Sequence, residues 1–346
     1  MFSKNLKYYR LKNNFTKKEL ASKVNVTPMA ISHYENGDRR PNMDVIKELA
    51  DVLNIKVSDF LHSRSENLSF VHGEFRKNSS LSVKQQEYVR EAVEEYFGRF
   101  YSVVEILGGD VLPKAPECHS IKLSDDIEEN AKAMRLHLRI AEEGPIGNLI
   151  ELLENKGILI YVCDIDNDKF SGMNGMVSSR PYIIINGMMT PERIRSTIAH
   201  EMAHFIFSWP KDMEDKEVES MAMAISGAFL FSKEDALREL GVHRSSISQD
   251  MYLVCKEYGI SMFLLVKRAQ ICGIINDSTA KGFYIQASKK GWRTNEPTRI
   301  EPEESLLFAQ LIYRAVGEQE ISVQKGAELL QIPYAEVAKQ CSAAEV

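Results

Sequence analysis

A chain of 346 residues, 44% hydrophobic and 27% charged, has room for two or three domains, and its composition excludes the disordered and fibrous classes. Five cysteines, Cys118, Cys163, Cys255, Cys272 and Cys341, are scattered without close pairs, which argues against a disulfide framework or a Cys-rich zinc site and for a reducing cytoplasm. The formal net charge of −6 is unevenly spread: residues 1–65 hold 12 Lys/Arg against 7 Asp/Glu, so a basic head precedes an acidic body, and the head is the part expected to meet a polyanion.

At the start of the chain, MFSKNLKYYR lacks an apolar signal core, so no export signal is expected. Short helices follow. Thr16 and Glu19 form a capping box for a helix with Leu20, Ala21 and Val24 on one face. Asn25-Val26 makes a tight turn. Thr27 caps the next helix, Pro28 suits its first position, and Gly37 stops it. A further amphipathic helix spans Met43 to Leu53. Two helices across a tight turn form a helix-turn-helix. The stretch FTKKELASKVNVTPMAISHYENGDRRPNMDVIKELADVLNI closely resembles the phage-repressor-like (XRE) family. The resemblance covers about the first 60 residues. It implies that Thr27 to Asn36 lies in the major groove of double-stranded operator DNA, with Met29, Ser32 and His33 toward base edges. Lys17, Asn36, Arg39 and Arg40 would face phosphates. Pro28 and Met29 stand where Gln or Arg often makes bidentate base contacts, so readout is expected to lean on thymine methyls, His33 and DNA shape. A homodimer on DNA is expected because such heads read two half-sites.

Residues 62–80 are polar and mixed and are expected to be a linker. Ser82, with Gln85 as reciprocal cap, opens a long helix reaching about Leu107, whose aromatic stripe at 96–101 is expected in a core. Helices are expected from Asp125 to Ala141 and from Pro145 to Lys156. The apolar runs GILIYVCDID and PYIIIN then read as strands. The order is that of an α+β domain.

Thr190-Pro191 starts a helix that continues ERIRSTIAHEMAHFIF and stops before Trp209-Pro210. Within it, His200 and His204 are four apart and project from one face, so their rings can meet one metal ion. Glu201 lies beside them, within reach of a metal-bound water. This geometry is why H-E-x-x-H marks zinc hydrolases. Downstream, Glu219 falls on the same stripe as Ala222, Ile225 and Phe229. A carboxylate on an apolar, small-residue stripe is costly unless paired, so Glu219 is the expected third ligand to Zn2+, with Asp215 and Glu217 as alternatives. The longest apolar window, Met221 to Phe231, is too short to cross a bilayer.

The combination resembles the ImmA/IrrE-type zinc metallopeptidases over roughly residues 125–235. The matching stretches are PIGNLIELLENKGILIYV, FSG with PYIIIN, RIRSTIAHEMAHFIF and ESMAMAISGAFLFS. Departures fall at Met223, Ile225, Ser226, Phe229 and Ser232, which are packing and capping positions, while His200, Glu201, His204 and Glu219 match. The resemblance implies a zinc endopeptidase that cleaves a repressor-type regulatory protein, itself or a partner, to control mobile-element, toxin–antitoxin or stress genes. The alternative is a transcriptional repressor or antitoxin whose peptidase-like body only senses or holds a partner. Either His243 or a tyrosine would stabilise an oxyanion.

Beyond Ser245 the chain is mostly helical. MYLVCKEYGISMFLLVKRAQICGII is expected to form two helices, GFYIQA a short strand, and ISVQKGAELLQIPYAEVAKQ a second helix-turn-helix-like pair used for packing or interaction. The expected organisation is a helix-turn-helix domain at 1–65, a linker and long helix at 66–124, an α+β zincin-like metallopeptidase domain at 125–240 and a mostly helical C-terminal region at 241–346.

Overall fold

The computed structural model describes residues 1–62, 64–65, 67–73, 81–167, 169–295 and 297–342. By packing, the chain divides into two compact units, one formed by Met1–Leu112 with Leu306–Val346 and the other by Pro113–Ser305.

The first unit opens with four α-helices: α1 (Phe2–Lys12), α2 (Lys17–Lys23), α3 (Pro28–Asn36) and α4 (Met43–Leu53). The sequence caps are all present. Thr16 and Glu19 bond reciprocally, Thr27 accepts from the Ala30 amide, and Gly37 takes the left-handed conformation at φ 82° that ends α3. Leu6, Leu20, Ile31 and Leu49 are fully buried between these helices. In the same core, Arg10 donates to both carboxylate oxygens of Glu35 at 2.5 and 3.0 Å, a paired charge that offsets its own desolvation. Of the expected linker, residues 63, 66 and 74–80 lie outside the described residues, and Phe70–His72 within it is a short strand, β1. Ser82 and Gln85 cap α5 (Val83–Ile106), and the aromatic stripe is core as expected, with Phe97 and Phe100 buried.

The second unit follows an α+β order: β2 (Ile121–Lys122), α6 (Ile127–His137), α7 (Leu149–Asn155), β3 (Leu159–Cys163), β4 (Gly172–Val177), β5 (Arg180–Asn186), α8 (Pro191–Ile206), β6 (Phe207–Ser208) and α9 (Asp215–Leu230). α10 (Lys233–Leu240), α11 (Met251–Tyr258), α12 (Met262–Ile271) and α13 (Asp277–Lys289) complete it. β5 is buried along nearly its whole length because it has a partner on each side, parallel to β3 and antiparallel to β4. α8 lies against β4 and β5, and α9 packs along α8. One apolar core, including Ile183, Ile185, Ile198, Met202, Ala222 and Ile225, joins these layers.

Three expected elements differ. α6 ends at His137 rather than Ala141, where Arg139 takes φ 54° and the buried Arg135 guanidinium binds the carbonyls of Ala141 and Gly144. α7 begins at Leu149 rather than Pro145, with Asn148 as its cap and the Glu303 carboxylate accepting from the Leu149 and Ile150 amides. GFYIQA is not a strand but part of α13. Asn276 caps that helix, and Ala280, Phe283 and Ala287 form its buried stripe.

The last helices, α14 (Leu307–Gly317), α15 (Val323–Leu330) and α16 (Tyr334–Cys341), belong to the first unit. There α14 packs on α5, and the buried Glu95–Arg99 pair of α5 reaches the Gln331 side chain and the Leu329 carbonyl. The molecule is thus multi-domain: an all-α helix-turn-helix head, an α+β domain and a mostly helical C-terminal region. Among the described residues no helix is long and apolar enough to cross a membrane.

Candidate metal centre and nucleic-acid interface

The centre is built on the α8–α9 pair. Thr190 precedes α8 and Pro191 takes its first position, so the helix starts without wasting an amide donor. Apolar residues around most of α8 bury it, which brings His200 and Glu201 inside at 5% exposure each. On α9, Ala222 and Ile225 are fully buried against the core, and Glu219, one turn earlier, comes up beside the histidines.

His200 Nε2 and His204 Nε2 lie 3.1 Å apart. The Glu219 carboxylate straddles them, with Oε2 3.5 Å from His200 Nε2 and Oε1 3.5 Å from His204 Nε2. With one donor atom taken from each residue, all three lie within 4.8 Å of one another, close enough to converge on a single ion. Two imidazoles and a carboxylate are also the donor types that a Zn2+ ion takes, and the residues therefore fit the ion. Among the described residues this is the one group of three or more His, Cys, Asp or Glu side chains with converging donor atoms. Exposure is graded across the group. His200 is buried, His204 has 15% of its side chain exposed and Glu219 33%, so one side opens to solvent. The Trp209 indole donates to the His204 carbonyl at 3.2 Å and its ring lies 5.8 Å from the imidazole, pinning the end of α8. Asp215 and Glu217, the alternative ligands, are exposed in the first turn of α9 and stand outside the cluster. His243 lies exposed between α10 and α11.

Glu201 points toward the sheet, where Asn174 Nδ2 on β4 donates to its Oε2 at 2.8 Å. Sequence reasoning missed Asn174. The available signal was a polar amide inside the short run GMNGMV, since Asn is depleted in strands. Among the positions departing from the peptidase resemblance, Ile225, Ser226, Phe229 and Ser232 are buried and Met223 is exposed. Ser232 accepts from the Asp235 amide and so caps α10.

On the head, Met29, Ser32, His33 and Asn36 follow helical spacing along α3, and Met29, His33 and Asn36 are exposed. Arg39 and Arg40 are exposed just beyond it. Lys17 is turned inward more than expected: its ammonium donates to Ser32 Oγ at 3.1 Å and lies 3.6 Å from Glu35. Asp38 adds a negative charge to this face, 3.2 Å from His33 Nδ1.

Residues 6–60 match the family model described as helix-turn-helix, and residues 153–270 match that described as the IrrE N-terminal-like domain. No curated protein and no solved structure matches the chain. The chain therefore joins a helix-turn-helix domain of the XRE type to a peptidase-like domain of the IrrE type.

Proposed function

We propose that the protein is a cytoplasmic DNA-binding transcriptional regulator with zinc-dependent endopeptidase activity toward a repressor-type regulatory protein. The observation that carries the reading is the convergence of His200, His204 and Glu219 with Glu201 beside them on α8. In this reading His200, His204 and Glu219 hold the ion. When bound, Zn2+ supplies Lewis acidity and brings the pKa of a coordinated water down toward about 7. Glu201 is the general base: a buried carboxylate one residue from a ligand, placed to take a proton at one oxygen and return it to the leaving amine. The exposed edges of His204 and Glu219 leave the side through which a peptide would reach the centre.

Met29, Ser32 and His33 on α3 would face base edges in the major groove of operator DNA, with Asn36, Arg39 and Arg40 on phosphates and two heads acting as a homodimer. Lys17 would have to leave Ser32 and Glu35 to reach a phosphate. The head thus brings the peptidase to the genes whose repressor it cuts. The second reading, a non-catalytic sensor, has no use for Glu201 at this position. The test compares protein N-termini in cells producing the wild type or Glu201→Gln. New N-termini within a helix-turn-helix regulator, seen only with the wild type, support the peptidase. Identical profiles, with the metal retained in both proteins, favour the sensor.

A further inference from the structure

We propose that Asn174 is the positioning residue for Glu201, an inference that rests on the peptidase reading above. Two independent features of β4 support it. The first is the hydrogen bond itself: Asn174 Nδ2 holds Glu201 Oε2 at 2.8 Å. A side-chain amide is a neutral N–H donor, so it holds the carboxylate without adding a charge beside the metal centre. It engages one carboxylate oxygen and so restricts rotation of the group, which fixes where the other oxygen, the one a general base uses, can lie.

The second feature is the residue two positions earlier. Gly172 lies on the same face of β4 as Asn174, since side chains of a strand alternate. A Cβ at Gly172 would lie 3.0 Å from Thr197 Cγ2 on α8 and 2.8 Å from the Ile184 carbonyl oxygen. Thr197 is one helical turn before Glu201. Two strand residues and four helical residues advance by similar lengths, about 6.6 and 6 Å. Gly172 against Thr197 and Asn174 against Glu201 are therefore successive rungs of one strand–helix contact. The glycine lets α8 approach close enough for the short asparagine side chain to reach the carboxylate. Loss of the amide leaves the metal ligands in place and frees the base to rotate.

The experiment uses the full-length protein with Co2+ in place of Zn2+ and acetohydroxamic acid as the probe. This probe chelates the ion and shares a hydrogen bond with the adjacent carboxylate. Affinity is read from the visible cobalt spectrum for wild type, N174A, E201A and the double variant, with N174L as a near-isosteric form lacking the donor. Metal stoichiometry should be unchanged in all. N174A and N174L should each weaken the hydroxamate by ~10- to 100-fold, the range for a hydrogen bond to a charged group. The N174A effect should vanish in the E201A background. Wild-type affinity in both Asn174 variants, or an equal loss with and without Glu201, overturns the proposal while leaving the metal centre standing. Failure of the wild type to bind cobalt overturns the peptidase reading, and this inference with it.

Discussion

Gly172→Ala replaces a hydrogen with a methyl group where β4 lies against β5 and α8. The new methyl would meet the Ile184 carbonyl oxygen at 2.8 Å, Thr197 Cγ2 at 3.0 Å and Ile185 Cδ1 at 3.1 Å. The first of these is backbone held in the β5 ladder and cannot rotate away. The second is on a β-branched side chain with restricted rotamers. Relief must come from shifting β4 against both its β5 neighbour and α8, and overpacking of this kind costs about 1–3 kcal/mol. For a unit of this size that lowers the Tm by roughly 2–12 °C. The control is Gly282→Ala on α13, where nothing lies within 4 Å of the new methyl and the backbone is helical. There the same substitution should stabilise by about 0.5–1 kcal/mol. Thermal unfolding followed by circular dichroism reads both. Equal Tm values for Gly172→Ala and the wild type would refute the tight strand–helix contact.

Arg40→Ala should weaken DNA binding alike for all sequences and reduce the salt slope by about 1, since it is assigned to phosphate; titrations at several salt concentrations check this, and a loss confined to one operator sequence contradicts it. At Glu95 on α5, burial alone would raise the carboxyl pKa, but the charge and hydrogen bonds of Arg99 outweigh it and hold the group below its ordinary value. A depressed folded pKa contributes stability that is complete above the unfolded value of about 4.3 and lost as pH falls through the folded one. Glu95→Gln should therefore lower stability at neutral pH and flatten the acid limb of Tm against pH. An acid limb as steep as the wild type's would remove Glu95 from it.

Local chemistry made the caps legible in the sequence: Thr16 with Glu19, Thr27 with Pro28, and Ser82 with Gln85 each satisfy amides within three residues. The histidine pair was legible for the same reason, because a spacing of four on a helix determines which side chains share a face. Glu219 needed an energetic argument, the cost of a carboxylate on the Ala222–Ile225 stripe. Where chemistry acts across long stretches of chain, the sequence was silent. The start of α7 depends on Glu303, more than 150 residues away, and the turn after α6 depends on the guanidinium of Arg135. GFYIQA misled because six residues rich in β-formers hide a helical stripe that shows only from Ala280 to Ala287. Asn174 was invisible because its importance lies in what stands opposite it on another element.

The central claim is that His200, His204 and Glu219 hold one metal ion. Its most direct test is the metal content of the purified protein, wild type beside Glu219→Ala, after equilibration with Zn2+. About one zinc per chain in the wild type, lost or greatly weakened in the variant, is the predicted result. No zinc in the wild type, or full retention without Glu219, would contradict it and make the α8 histidines partners of each other rather than of an ion.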